Sequence, residues 1–274
     1  MAWTEFTRRR YERSGGKYAS DATDAEWALV APLMPLVRRT GRPRTTDLRE
    51  VFDAIRYIAT TGRQWRMLPN DFPPVSTVQR YFYDWRDNGL LKELNYQLVA
   101  AARQAEGRAP GPSAGVIDSQ SVKTTESAGM SGYDAGQRIK GRKRHIVTDT
   151  VGLRVGLAVH GANIQDRDGA PDLLESISGA YPPRRHIFAD GGYAGPKLRG
   201  ALEKIGRWTL QIVKRSDTAQ GFEVIPRRWV VERTFAWLGR CRRMAKDWEK
   251  TIASAEAWLL IAHIRRVTRM LASS

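Results

Sequence analysis

The chain has 274 residues, 42% of them hydrophobic, which is typical of a globular protein with one large or two modest domains. Its formal net charge of +16 indicates a polyanionic partner, either nucleic acid or an acidic membrane surface. A single cysteine, Cys241, excludes intramolecular disulfides and a cysteine-rich zinc site, and with only four histidines any metal should be a hard ion bound through oxygen. We find neither a membrane-spanning apolar run nor a secretory signal, and therefore expect a cytoplasmic protein without membrane contact.

The first part of the chain is predicted to be helical after a basic, poorly ordered arm of residues 1–20. A capping box, Thr23-x-x-Glu26, starts the first helix, and two prolines end it by residue 35. Apolar periodicity and capping residues predict three more helices, over residues 47–61, over residues 77–88 with Ser76 as the cap, and over residues 90–104.

The succession of helix, proline-punctuated turn and helix over residues 47–88 is typical of a groove-reading helix-turn-helix module. The alternative is a plain three-helix bundle with solvated arginines. Because the chain carries a large excess of positive charge, we expect this region to contact DNA. The candidate contacts are Arg80 and Arg86 on the last helix and Arg38, Arg39, Arg42 and Arg44 in the basic loop before residue 47.

The stretch EGRAPGPSAG, residues 106–115, is the best candidate for a domain boundary because glycine and proline punctuate it. It predicts a helical domain over residues 21–106, a linker over 107–114 and a second domain over 115–274. Strand and helix patterns alternate in that second domain. The predicted strands are 115–122, 145–148, 153–160, 186–189 and 208–213, and the predicted helices are 170–178, 196–205, 226–244 and 254–271. This order predicts an α/β fold, a ribonuclease H-like mixed sheet with flanking helices, preceded by an all-α helix-turn-helix-like domain.

Three carboxylates stand out in the second domain by position. Asp118 is expected at the end of the first strand, after Val116 and Ile117, and Asp190 at the end of the fourth, where sites form in open α/β sheets. If these strands are neighbours, the two side chains converge, and the helix over 226–244 brings Glu232 to the same end. Carboxylates without histidine or cysteine are typical of a Mg²⁺ site, and two such ions can act on the attacking and leaving oxygens of a phosphoryl transfer.

Each carboxylate also has a purely structural interpretation. Glu232 could pair with Arg228, four residues earlier on the same helix. Asp190 begins an Asp-Gly-Gly turn sequence, and Asp118 could cap a local turn. The residue pattern leaves these alternatives open.

Basic residues surround the three carboxylates in the sequence. The run RIKGRKR, residues 138–144, is either a solvated charged loop or, as we expect beside a phosphoryl-transfer site, a set of phosphate contacts. The helix with Glu232 is also rich in arginine. The expected DNA contacts of the second domain are Lys123, Arg138, Lys140, Arg142, Lys143, Arg144, Arg227, Arg228, Arg233, Arg240, Arg242 and Arg243.

Several stretches together carry a resemblance to a known family. They are VIDSQSVKTT (116–125), GYDAGQRIKGRKRHIVTDTVGL (132–153), HIFADGGYAG (186–195), RRWVVERTFAWLGRCRR (227–243) and, in the helical part, GRPRTTDLREVFDAIRYIATTGRQWRMLP (41–69). The chain resembles, over nearly its whole length, the bacterial insertion-sequence transposases of the DDE type, in the group named after insertion sequence five.

The resemblance implies that Asp118, Asp190 and Glu232 are both the catalytic residues and the metal ligands. It implies two Mg²⁺ ions, replaceable by Mn²⁺, and double-stranded DNA as the substrate, both as terminal inverted repeats and as target. The implied reaction is cleavage at the element ends and joining of the 3′ ends to the target, by a homodimer or larger homo-oligomer on nucleoid DNA.

The chain departs from the pattern of the broader superfamily on either side of Glu232. Arg228 fits the family's arginine, but Ile225 and Gly239 stand where a tyrosine and a lysine are usual. Two rival functions stay open as well. One is a ribonuclease H-like nuclease or resolvase that cuts without joining, and the other is a non-catalytic DNA-binding derivative of a transposase.

Overall fold

The computed structural model describes residues 16–36, 44–126, 128–180, 184–213 and 228–273. These residues form the helices α1 (Asp24–Val30), α2 (Leu48–Thr61), α3 (Val75–Asp87), α4 (Leu90–Ala105), α5 (Asp166–Ser176), α6 (Pro196–Ile205), α7 (Arg228–Leu238) and α8 (Ile252–Leu271). The strands are β1 (Ala114–Lys123), β2 (Gly132–Asp134), β3 (Ile139–Asp149), β4 (Arg154–Gly161), β5 (Arg184–Ala189) and β6 (Arg207–Ile212).

Local capping signals predicted the first helices well. Thr23 caps α1 and Asp47 caps α2, each by accepting a hydrogen bond from a backbone N–H group of the first turn. Gly62 ends α2 with a φ of 71°, in the left-handed region that favours glycine. The cap expected at Ser76 is wrong, because α3 already begins at Val75 and Ser76 lies inside the helix.

The strands form one mixed sheet in the order β2-β3-β1-β5-β6, with β4 also paired to β3. Strand β3 is antiparallel to β1 and β4, whereas β5 is parallel to β1 and β6. This arrangement confirms the predicted ribonuclease H-like fold class. Strands β1 and β5 are neighbours, with Val116 beside Phe188, as the convergence of Asp118 and Asp190 requires.

The run RIKGRKR belongs to the sheet and is not a solvated loop. Strand β3 begins at Ile139 and pairs with β1 from residue 141 onward. Gly141 permits this close pairing, since a Cβ atom there would lie 1.9 Å from the carbonyl oxygen of Val122. Alternation along β3 then directs Lys143 to one face of the sheet and Arg142 and Arg144 to the other.

Helix α8 joins the helical part to the sheet. It packs against α2 and α4 on one side and against β4 and α7 on the other. Its Trp258 is fully buried and stacks on Phe82 of α3, with ring centroids 4.5 Å apart. Because the apolar core is continuous between the two parts, the division at residues 107–114 stays a prediction. Within the described ranges, no helix is both long and apolar enough to cross a membrane.

Candidate active site

Parallel strands bring two aspartates to one edge of the sheet. Asp118 and Asp190 each lie two residues beyond the last position at which β1 and β5 pair with each other. The strand end expected at Asp118 is wrong, because β1 continues to Lys123 paired with β3, and Asp118 itself lies beside Ile146. The backbone N–H group of Ser119 donates to Asp118 Oδ1 at 2.7 Å, and that of Gly192 donates to Asp190 Oδ1 at 2.8 Å. The turn considered for Asp190 is therefore present, and it orients the carboxylate.

Helix α7 lies across the same edge and supplies Glu232. Its apolar side packs Val231 and Phe235 against β1, β3 and β5, which leaves the Glu232 side chain 56% exposed. Arg228 Nη2 lies 3.3 Å from Asp190 Oδ2, and Arg228 Nε lies 3.4 Å from Glu232 Oε1. The helix pair considered from the sequence is thus present, but the same guanidinium also contacts Asp190.

The three carboxylates influence one another electrostatically. The pKa of Asp118 is raised from 3.8 to about 7, chiefly by burial and further by the negative charges of Asp190 and Glu232. The hydrogen bond from Ser119 and the charge of Arg228 lower this pKa, but they do not cancel the rise. Among the residues that the structure describes, the guanidinium of Arg228 is the one that bridges two of these three carboxylates. The site is therefore short of positive charge.

Carboxylate oxygens that lack a full set of counter-charges fit a hard divalent cation. Asp118, Asp190 and Glu232 are the residues that could hold it. They do not form a finished coordination sphere, because in the described part of the chain no three acidic, histidine or cysteine side chains are close enough together to bind an ion. A cation would have to draw these carboxylates together and compete with Arg228 for two of them.

The opposite face of β1 carries a polar cluster that sequence reasoning missed. Ser119 Oγ and Lys143 Nζ both donate to Asp166 Oδ1, at 2.7 and 2.9 Å. Lys143 Nζ also lies 3.3 Å from Asp134 Oδ2, which accepts from Ser121 Oγ at 2.6 Å. We call these five residues the rear cluster. Strand alternation gave one signal for it, since Ser119 and Ser121 share a face and Ser121 pairs with Lys143 across the β1–β3 ladder.

Comparison with known proteins identifies the family. A family model described as a transposase DDE domain matches residues 109–266, which is more than half of the chain and includes all three carboxylates. The chain belongs to the DDE transposase family. A second model, described as "Putative transposase of IS4/5 family", matches residues 22–95 in the helical part.

Two curated relatives are similar to parts of this chain. A "Putative transposase for insertion sequence element IS402" from Burkholderia cepacia is 33% identical over 117 residues, which cover 40% of this chain and 54% of that protein. An "Uncharacterized protein y4sN" from Sinorhizobium fredii is 30% identical over 83 residues, which cover 30% of this chain and 64% of that protein. The chain therefore spans less than two thirds of the length of either relative. No solved structure matches it.

The predicted DNA contacts of the transposase differ in exposure. Some are exposed, namely Arg80, Lys123, Arg138, Lys140, Arg240 and Arg242. Others lie outside the described residues, namely Arg38, Arg39, Arg42 and Arg227.

Four predicted contacts are buried and bonded inside the protein, which contradicts a direct role in binding DNA. Arg142 pairs with Asp247 at 3.0 Å and donates to three backbone carbonyls. Arg144 donates to two carbonyls, and Arg243 donates to a glutamate and a carbonyl. Lys143 belongs to the rear cluster. The physical reason is that both faces of β3 are covered, by α5 on one side and by residues 244–250 on the other.

Three more predicted contacts are partly buried and already hydrogen-bonded. Arg86 donates to Ser254 of α8 at 2.8 Å, so it braces α3 against the C-terminal helix. Arg233 donates to a backbone carbonyl and lies between two tryptophan rings. Arg44 donates to a backbone carbonyl at 2.9 Å. Arg80 is then the exposed arginine of α3.

Proposed function

We propose that this transposase binds the terminal inverted repeats of an insertion sequence, cleaves the DNA at the element ends and joins the 3′ ends to target DNA. The reaction is a Mg²⁺-dependent phosphoryl transfer. The observation that supports this most is that β1, β5 and α7 place Asp118, Asp190 and Glu232 at the same end of a ribonuclease H-like sheet, within the matched DDE domain.

The chain's own residues have distinct roles in the proposed reaction. When bound, Mg²⁺ supplies stabilisation of the attacking and leaving oxygens of an in-line displacement. Asp118 and Asp190, oriented by backbone N–H groups, are the residues that would hold the metal from the sheet, and Glu232 would hold it from α7. Burial and the neighbouring carboxylates raise the pKa of Asp118 to about 7, so binding a cation there would favour its ionised form. Arg228 offsets part of the negative charge of Asp190 and Glu232.

Exposed cations supply the DNA contacts in this proposal. Lys123 is the last residue of β1, Lys140 is the second residue of β3, and Arg138 immediately precedes β3. These positions are close together because β1 and β3 are antiparallel, with Lys123 beside Gly141. Lys123 is five residues beyond Asp118, a distance of about 16 Å along an extended strand. We infer that this corner binds phosphates flanking the cleavage point, and that Arg80 on α3 contributes to recognition of the inverted repeat.

We infer that the active unit is a homodimer or larger homo-oligomer, acting on nucleoid DNA in the cytoplasm. One active site per chain must serve the two ends of one element. Joining both ends to nearby target phosphates requires two active sites side by side.

Three single substitutions test the proposed chemistry. Asp118→Asn, Asp190→Asn and Glu232→Gln each keep the shape of the side chain and remove a metal-binding charge. We expect each to abolish Mg²⁺-dependent cleavage of a labelled element end while end binding stays near wild type. Asp168→Asn is the matched control, since Asp168 pairs with the exposed Lys197 at 2.6 Å. Normal cleavage by the Glu232→Gln protein would remove Glu232 from the site.

The same assay separates the rival functions when target DNA is added. The proposal predicts joined products as well as cleaved ends. Cleavage without joining would favour a nuclease or resolvase. A wild-type protein that binds ends but shows no metal-dependent cleavage would favour a non-catalytic derivative.

A further inference from the structure

Asp166, the first residue of α5, is bonded to the strand that carries the first catalytic aspartate. Its Oδ1 atom accepts a hydrogen bond from the hydroxyl of Ser119, the residue that directly follows Asp118. The N–H group of Ser119 in turn donates to the Asp118 carboxylate. Ser119 therefore links the two carboxylates through its own two donors, the backbone N–H group to Asp118 and the side-chain hydroxyl to Asp166.

The other oxygen of Asp166 lies against the turn that carries the second catalytic aspartate. A Cβ atom added to Gly192 would lie 3.1 Å from Asp166 Oδ2 and 3.1 Å from Asp190 Oδ1. Gly192 is also the residue whose N–H group orients Asp190. The absence of a side chain at Gly192 thus lets Asp166 approach the Asp190 turn closely.

Lys143 of β3 holds Asp166 in place through an ion pair. Its side chain is 7% exposed and its Nζ atom contacts both Asp166 and Asp134. A buried ammonium held between two carboxylates has little freedom to move, because any displacement lengthens one of its two ion pairs. Because Asp134 shares this ammonium, Lys143 offsets part of the charge of Asp166.

A neighbouring aspartate shows that this arrangement is not simply a negative charge at a helix N-terminus. Asp168 lies in the same turn of α5, where acidic residues commonly interact with the helix dipole. Its partner is the exposed Lys197, away from the rear cluster. Asp166 differs because it touches both chain segments that carry catalytic aspartates.

We propose that Asp166 is a positioning residue that sets the spacing of Asp118 and Asp190, acting through Ser119 and Gly192 and held in place by Lys143. It touches neither the metal nor the DNA. The inference rests on the proposed function, since it assumes that the two aspartates bind a metal. Residues that orient metal ligands typically change metal affinity by about 10–100-fold when they are replaced.

The test is a titration of the DNA-free 274-residue chain with Mn²⁺, in which calorimetry measures the binding of the ion. Asp166→Ala removes both contacts, Asp166→Asn keeps an acceptor for the Ser119 hydroxyl, and Ser119→Ala removes that hydroxyl only. We expect the half-saturating Mn²⁺ concentration to rise by about 10–100-fold for Asp166→Ala and by less for the two milder variants. The Asp168→Asn control should bind as the wild type does. Thermal unfolding verifies that each variant is folded at the titration temperature.

The outcomes distinguish a positioning role of Asp166 from a role as a metal ligand and from no role in metal binding. Wild-type Mn²⁺ affinity in folded Ser119→Ala and Asp166→Asn proteins would overturn the inference, even if Asp166→Ala fails to fold. Complete loss of a bound ion in Asp166→Ala, equal to that in Asp118→Asn, would make Asp166 a ligand and would also overturn it. If the wild type itself binds no Mn²⁺, the proposed function fails together with the inference.

Discussion

The two faces of β1 differ in the partners that their carboxylates have. On the α7 face, Asp118, Asp190 and Glu232 lie at one end of the β1–β5 pair, and Arg228 contacts two of them at 3.3 and 3.4 Å. On the α5 face, Asp134 and Asp166 share the buried ammonium of Lys143, and each accepts a hydrogen bond from a serine hydroxyl. Neither face has one cation for each carboxylate, but the two α5-face carboxylates share a cation that is only 7% exposed and have hydroxyl donors, whereas the α7-face site has only the longer contacts of Arg228.

This difference supports the proposed assignment of Asp118, Asp190 and Glu232 as metal ligands. A carboxylate that is paired and hydrogen-bonded inside the fold stabilises it and has no remaining demand for a cation. A carboxylate crowded by like charges raises the free energy of the folded protein until a cation binds. Each of the following experiments measures the difference between the carboxylates of the two faces and has an outcome that would contradict it.

The largest expected effect is a gain of stability from removing the charge of Asp118. The Asp118 carboxyl has a pKa of about 7 in the fold against 3.8 ordinarily, so the unfolded chain releases its proton first. The contribution of Asp118 to the stability of the wild type therefore falls as pH rises from about 4 to 7. We expect metal-free Asp118→Asn to be more stable than wild type by up to about 4 kcal/mol at pH 8, since one pKa unit is worth about 1.4 kcal/mol.

Chemical unfolding in the presence of a chelator measures this effect. The stability difference between Asp118→Asn and wild type should grow between pH 5.5 and 7 and then level off. A difference that does not change with pH would show that the ionised Asp118 carboxylate does not destabilise the metal-free fold.

The next largest effect is expected from removing Lys143, the cation of the α5 face. Lys143→Met leaves Asp134 and Asp166 without their shared partner, and breaking a buried ion pair costs about 3–5 kcal/mol. Because Asp166 is 28% exposed, we expect a loss near the lower limit, about 3 kcal/mol. Arg228→Met is the matched control on the other face. Its contacts are long and partly solvated, so its loss should cost under about 1 kcal/mol. Equal losses for the two variants would remove the contrast between the faces.

A smaller effect separates exposed from buried cations on β3. Lys140→Ala should leave the free energy of unfolding within about 0.5 kcal/mol of wild type. It should reduce the slope of log affinity against log salt by about one on DNA, if Lys140 neutralises one phosphate. The slope is measured by fluorescence anisotropy between low and physiological salt. The buried Arg142 gives the comparison, since Arg142→Ala should lower stability because it leaves Asp247 unpaired. An unchanged slope for Lys140→Ala would exclude that corner from the DNA path.

Local sequence rules predicted what depends on local structure. The helix start at Thr23, the end at Gly62 and the placement of Asp190 just after β5 all follow from short-range patterns. The strand end expected at Asp118 is wrong, because β1 continues to Lys123 in its pairing with β3. Glu232 was predictable because helical periodicity buries Val231 and Phe235 and turns the intervening carboxylate away from the core.

Burial of charge could not be predicted in this way. Arg142 is enclosed by residues about 105 positions later in the chain, and its partner Asp247 follows no local rule. Asp166 reaches Ser119 from a helix 47 residues away. A run of basic residues indicates how much positive charge is present, but only the tertiary fold determines which side chains face DNA.

The most direct test of the account is Mg²⁺-dependent stabilisation of the DNA-free protein. A ligand that binds only the folded state raises the free energy of unfolding by about 2.7 kcal/mol at 100 times its dissociation constant. We predict that Mg²⁺ stabilises the wild type and the Asp168→Asn control, and that a protein carrying Asp118→Asn, Asp190→Asn and Glu232→Gln shows no Mg²⁺ response. Equal stabilisation of the triple variant would contradict the assignment of the metal to the α7 face of β1.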